Sequence, residues 1–189
     1  MKIKKLASLA LAAVLTVTAM TGCGKSSDDP NSIQSNPGYP DSEGYAEGIL
    51  GTTMHTEFFD FTINSAYTCA SYEGYTPDEG NQMVVAEITV KNTFSESVPM
   101  FDTDFEILWN DDADDAYEYP ITYYLETGKT IGQNMLPDQY KLAKNESRTG
   151  IVAYEVPAGE TDFVIGYQTI FDDESEGNVF FVFFTANEK

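Results

Sequence analysis

The chain has 189 residues, 42% of them hydrophobic and 13% aromatic, including 12 Phe and 12 Tyr. That content fills the core of one domain and excludes global disorder. The formal net charge of −21 repels phosphate backbones and anionic headgroups, which argues against nucleic-acid binding and leaves cations, basic partners or plain solubility.

Lys2, Lys4 and Lys5 form a basic head, followed by an apolar stretch from Leu6 to Met20. This stretch is short for a membrane-spanning helix and suits an export signal. It ends in Met20-Thr21-Gly22-Cys23, after which the chain turns abruptly polar. The tetrapeptide resembles the lipobox of bacterial lipoproteins, in which an aliphatic residue and two small ones precede the cysteine. The resemblance implies a signal peptide over residues 1–22, cleavage before Cys23, diacylglycerol on its sulfur and acylation of the new amine. Met20 stands where Leu is usual, and Thr21 is polar though small. Two or more acyl chains hold a protein stably on a membrane, whereas one gives marginal attachment. An ordinary secretory signal with a chance cysteine is the plainer alternative. Loss of the signal leaves 7 basic against 31 acidic residues, a charge of −24. With Cys23 lipidated, Cys69 has no partner, so the domain has no internal disulfide and depends on its core.

Residues 23–47, rich in Ser, Asp, Pro, Gly and Asn, read as a flexible tether. A folded domain is expected over residues 48–189. Phe59, Phe61 and Ile63 share one face, and a bend at Asn64-Ser65 suggests a pair of short strands; Ser71 to Asn81 is a loop. Val84, Ala86, Ile88 and Val90 alternate with Glu87, Thr89 and Lys91, giving a half-buried strand. Asn92 to Ser97 then reads as a polar turn into a second strand, Phe101 to Trp109, with Phe105, Ile107 and Trp109 on one side.

Tyr117 to Tyr124 is a short strand that Pro120 confines to an edge or a bulge. Glu126 to Glu146 reads as a long connection with one helical turn. Three strands close the chain: Arg148 to Val156, Thr161 to Phe171, and Asn178 to Thr185. The last, NVFFVFFT, is almost continuously apolar, as a fully buried core strand is. Seven to nine short strands with turn signals between them favour a β-sandwich over a barrel.

Gly80, Val90-Lys91-Asn92-Thr93, Asp104-Phe105, and Thr149-Gly150-Ile151 through Val156-Pro157 occur in an order that resembles the immunoglobulin-like domain of unknown function 4352. The resemblance covers roughly residues 48–185. It implies an all-β fold, an immunoglobulin-like antiparallel β-sandwich, here preceded by a lipoprotein signal peptide and a disordered linker. It implies no activity and no catalytic residues.

Candidate chemistry is sparse. Asp111, Asp112, Asp114 and Asp115, with Glu118, form one acidic cluster, and Asp172, Asp173, Glu174 and Glu176 form another. Calcium takes about six to eight oxygen ligands from flexible loops, so weak calcium binding is one expectation and solvated acidic turns the other. The first cluster lacks the Gly of an EF-hand, and no other cofactor is expected. His55 and Cys69 are the sole histidine and free thiol, without a motif that pairs them. Tyr67, Tyr72, Tyr75, Tyr117, Tyr119, Tyr123 and Tyr124 lie in or beside loops, where Tyr suits protein or glycan partners.

The expectation is therefore a non-enzymatic, lipid-anchored protein on the outer face of the cytoplasmic membrane, acting by binding. A cell-envelope hydrolase, or an auxiliary subunit of an envelope complex, is the alternative.

Overall fold

The structure, a computed structural model, describes residues 36–109 and 116–189. The strands in chain order are β1 (Tyr45–Ile49), β2 (Thr53–His55), β3 (Phe59–Cys69), β4 (Asn81–Asn92), β5 (Val98–Phe101) and β6 (Glu106–Trp109). After the undescribed segment come β7 (Tyr117–Glu118), β8 (Gln139–Leu142), β9 (Ser147–Pro157), β10 (Asp162–Ile170) and β11 (Glu176–Thr185). Among the described residues the only helical element is a 3₁₀ turn, Asp102–Asp104.

β4 shows how the sequence pattern becomes a layer. Val84, Ala86, Ile88 and Val90 are fully buried, while Glu87 and Lys91 on the other face are exposed. β4 sits inside an antiparallel sheet ordered β2-β3-β4-β9. Opposite it lies a five-stranded sheet ordered β1-β11-β10-β6-β7, in which β1 runs parallel to β11 and the other pairs are antiparallel. β5 and β8 form a separate ribbon.

Both sheets feed one core that includes Phe59, Phe61, Phe105, Tyr154 and Phe180. Its rings meet at an angle, Phe59 to Tyr167 edge-on at 4.8 Å and Phe61 to Phe105 tilted by 60° at 5.3 Å, avoiding the face-to-face sandwich that the ring quadrupoles disfavour. The buried Tyr154 hydroxyl donates to the Phe105 carbonyl at 3.2 Å, so this polar atom is satisfied inside the apolar layer.

The architecture is the expected all-β sandwich, but several elements differ in detail. Residues 83–90 and 101–109 do not form a hairpin: β4 and β6 lie in different sheets, and β5 with the 3₁₀ turn carries the chain across. Residues 59–69 are one strand, and the bend expected at Asn64-Ser65 is a bulge between Ile63 and Ser65. The connection over 126–146 contains β8 and no helical turn. β1 opens at Tyr45, upstream of the expected start at Gly48. The chain before it also takes part, because the Gly38 carbonyl accepts from His55 N at 2.9 Å. A side chain on Gly38 would place Cβ 2.0 Å from the Thr53 carbonyl oxygen, so only Gly fits this crossing.

Exposed sheet edges invite pairing with other chains, and this fold covers several of its own. Gly38 lies over β2. Along β9, Ile121 N donates to Ala153 O at 2.7 Å and Leu136 N to Ile151 O at 2.8 Å. Gly150 makes room there, since a Cβ would stand 2.7 Å from Leu136.

Candidate interaction surface

The two large sheets also have outward faces, and these differ. On β11, Phe180, Val182 and Phe184 point into the core, so Phe181 and Phe183 point away from it. The expectation of a fully buried strand is corrected here: the core face is buried, whereas on the other face Val179 is buried but Phe181 and Phe183 are only half-buried and belong to neither buried cluster.

The register extends that outward face across the sheet. Ile49, Phe183, Val164, Leu108 and Tyr117 are successive cross-strand partners, an apolar row over all five strands. At about 4.8 Å per strand the row spans roughly 19 Å. Beside it run Glu47, Phe181, Gly166 and Glu106, then Tyr45, Val179 and Gln168. Ile49 and Tyr45 are 57% and 46% exposed. Phe181 and Phe183 rings lie 6.2 Å apart.

The polar residues on this face are acidic. Glu47 and Asp162 are exposed, and Asp162 Oδ1 accepts from the Thr185 hydroxyl at 2.6 Å. Glu106 is half-buried beside Tyr119, and burial pushes its carboxyl up despite that hydrogen bond. No Lys or Arg occurs in any of the five strands.

The outward face of the four-stranded sheet is divided. At one end Cys69, Met83, Val85 and Ala153 form a second buried cluster, covered by Ile121, Tyr124, Ile131 and Met135 from the 121–136 segment. Thr122 pins this cover by donating its hydroxyl to Asp102 Oδ2, and burial raises the Asp102 carboxyl above its usual range. At the other end Thr53, Thr62, Thr89 and Thr149 form a cross-strand row. Their hydroxyls pair at 2.9 Å (Thr53 with Thr62) and 2.8 Å (Thr89 with Thr149). This end is polar and satisfied.

The residues singled out in the sequence fall as follows. Cys23, Asp111, Asp112, Asp114 and Asp115 lie outside the described residues. Asp172, Asp173 and Glu174 form the turn between β10 and β11, where Asp173 Oδ1 accepts from Ser175 N and Oγ, which holds its carboxyl below the usual range. Among the described residues no three His, Cys, Asp or Glu side chains are grouped to hold a metal.

His55 pairs with Asp60 through Nδ1 at 2.9 Å and stacks on Tyr39 at 4.1 Å. Cys69 is buried nine residues further along β3 than Asp60, roughly 30 Å away, so the two do not form a dyad. Tyr67, Tyr72, Tyr75 and Tyr124 pack on the second cluster. The Tyr75 hydroxyl donates to Glu155 at 3.1 Å, and burial with that carboxylate pushes the phenol up to about 12. Tyr123 donates to Asp138 at 3.0 Å. Tyr117 and Tyr119, ring against ring at 5.9 Å, stand at the edge of the apolar row.

The model of a family called "domain of unknown function (DUF4352)" matches residues 48–179. The chain belongs to that family. Its DUF4352 fold is similar to three solved structures, each too distant in sequence to carry more than the fold. The YjhA protein of Bacillus subtilis is 17% identical with a TM-score of 0.50, covering 71% of this chain and 99% of that one. A candidate lipoprotein of Staphylococcus aureus is 13% identical with a TM-score of 0.50, covering 75% and 94%. The candidate lipoprotein YcdA of Bacillus subtilis is 12% identical with a TM-score of 0.52, covering 71% of this chain but 38% of its own. No curated protein matches the chain.

Proposed function

We propose that this chain is a cell-surface lipoprotein, held by Cys23 to the outer face of the cytoplasmic membrane, whose DUF4352 sandwich acts by binding a macromolecular partner. The observation that carries the binding role is the apolar row Ile49, Phe183, Val164, Leu108 and Tyr117 on the side of the five-stranded sheet away from the core. Contiguous apolar surface on a soluble domain marks interaction sites. The anchoring role is supported by the Met20-Thr21-Gly22-Cys23 sequence after a basic head and an apolar stretch, and by two structural neighbours that are themselves candidate lipoproteins.

Two experiments test this. Cys23→Ala should abolish incorporation of a labelled fatty acid into the chain, and labelling that survives the substitution would remove the lipid anchor from the proposal. A photo-crosslinking amino acid at Val164 should capture a partner on intact cells, while the same residue at the exposed Thr149 of the opposite sheet should not. Equal yields from both positions, or none from Val164, would refute the binding role of this face.

A further inference from the structure

The charge on the apolar face narrows the occupant. Glu47 and Asp162 stand exposed on the same side as the apolar row, and the five strands carry no cation to balance them. We infer that the occupant is a polypeptide whose apolar centre is flanked by lysine or arginine. This rests on reading the face as a binding surface.

Three other occupants fit less well. A second copy of the chain would set Glu47 and Asp162 against like charges across the interface, with no compensating base. An anionic bilayer meets the same repulsion from a mature chain with 7 basic and 31 acidic residues, a charge of −24. A glycan needs hydrogen-bond donors and acceptors, and the central row offers only the Tyr117 hydroxyl at its edge beside Ile49, Phe183, Val164 and Leu108. A cationic, apolar segment satisfies both features: its side chains cover the row, and its charges meet carboxylates at the rim, where they speed encounter and reject acidic competitors.

The test uses the mature lipidated chain in phosphatidylcholine nanodiscs, with three nine-residue probes: alternating Lys-Leu, alternating Lys-Ser and alternating Glu-Leu. The Lys-Leu peptide should bind at least tenfold more tightly than either of the others, and the difference from Glu-Leu should shrink at high salt. Glu47→Lys combined with Asp162→Lys should weaken Lys-Leu binding at least tenfold. Phe183→Ser should do the same. The matched charge change Glu87→Lys with Glu126→Lys, on exposed residues outside the five strands, should change it less than twofold.

Equal affinity for Glu-Leu and Lys-Leu would overturn the inference, as would equal loss in the two charge-reversed variants. So would a dimer, or attachment of the soluble domain face to phosphatidylglycerol nanodiscs, that Phe183→Ser abolishes. Val164 crosslinks on cells that survive Glu47→Lys with Asp162→Lys would leave the binding surface standing and remove its cationic partner. Absence of Val164 crosslinks would remove both.

Discussion

The outward faces of the two sheets start from the same kind of sequence and end differently. On β4, Met83 and Val85 point away from the core, as Phe181 and Phe183 do on β11. Met83 and Val85 are nonetheless buried, because the 121–136 segment folds over them and brings Ile131 and Tyr124 as cover. Phe181 and Phe183 are only half-buried and belong to neither buried cluster. An apolar side chain on an outward strand face gains free energy from any cover, and burial is worth about 25 cal/mol per Å². Where the chain supplies the cover, the result is a satellite core. Where it does not, the apolar face stays partly open to solvent.

The contrast orders the expected effects of substitution. Phe180→Ala opens a cavity between the sheets and should cost about 3–5 kcal/mol in denaturant unfolding; a loss under about 1 kcal/mol would mean the core is not packed as described. Met83→Ala tests whether the covered outward face is a true core. It should cost about 2–3 kcal/mol, the lower part of the range for Met→Ala, because the cluster beneath the cover is small.

A pH effect separates the crossing between the sheets from both faces. Burial raises the Asp104 carboxyl from 3.8 to about 7, against the Phe101 N–H that donates to it at 2.8 Å. The folded state therefore holds this proton more tightly than the unfolded chain does. Its contribution is fully present below about pH 4 and is lost as pH rises towards 7. Asp104→Asn, which keeps the acceptor, should flatten that part of the profile of melting temperature against pH; an unchanged slope between pH 4 and 7 would show that the carboxyl titrates normally. Smallest of all, Phe183→Ser should shift stability by no more than about 0.5 kcal/mol, as surface substitutions do. A loss comparable to that of Met83→Ala would show that Phe183 is covered by the chain itself, and would erase the distinction between the faces.

Much of the fold was legible because alternation translates directly into sheet geometry. Val84 to Val90 and Phe163 to Tyr167 fall on the core side as their periodicity requires. The connection after Phe94 was not legible, since a polar turn between two strands reads the same whether they pair or part into different sheets. The tyrosines of the loops were ambiguous for a related reason: Tyr72 and Tyr75 differ from Tyr117 and Tyr119 only in which strands the fold brings beneath them. The apolar face carried its signal in NVFFVFFT, whereas Tyr45 and Glu47 at its edge lay in the stretch that reads as tether. A continuous apolar run, however, specifies two apolar faces without saying what covers either one.

The sequence by itself determined most of the long strands and their inward faces, the acidic charge and the lipobox-like segment, because all of these depend on residue order and local periodicity. Tertiary structure decided which outward apolar residues are fully covered by the chain and which stay half-exposed. That choice depends on where a remote loop comes to rest, and a pattern with a period of two residues carries no information about a partner some fifty residues away.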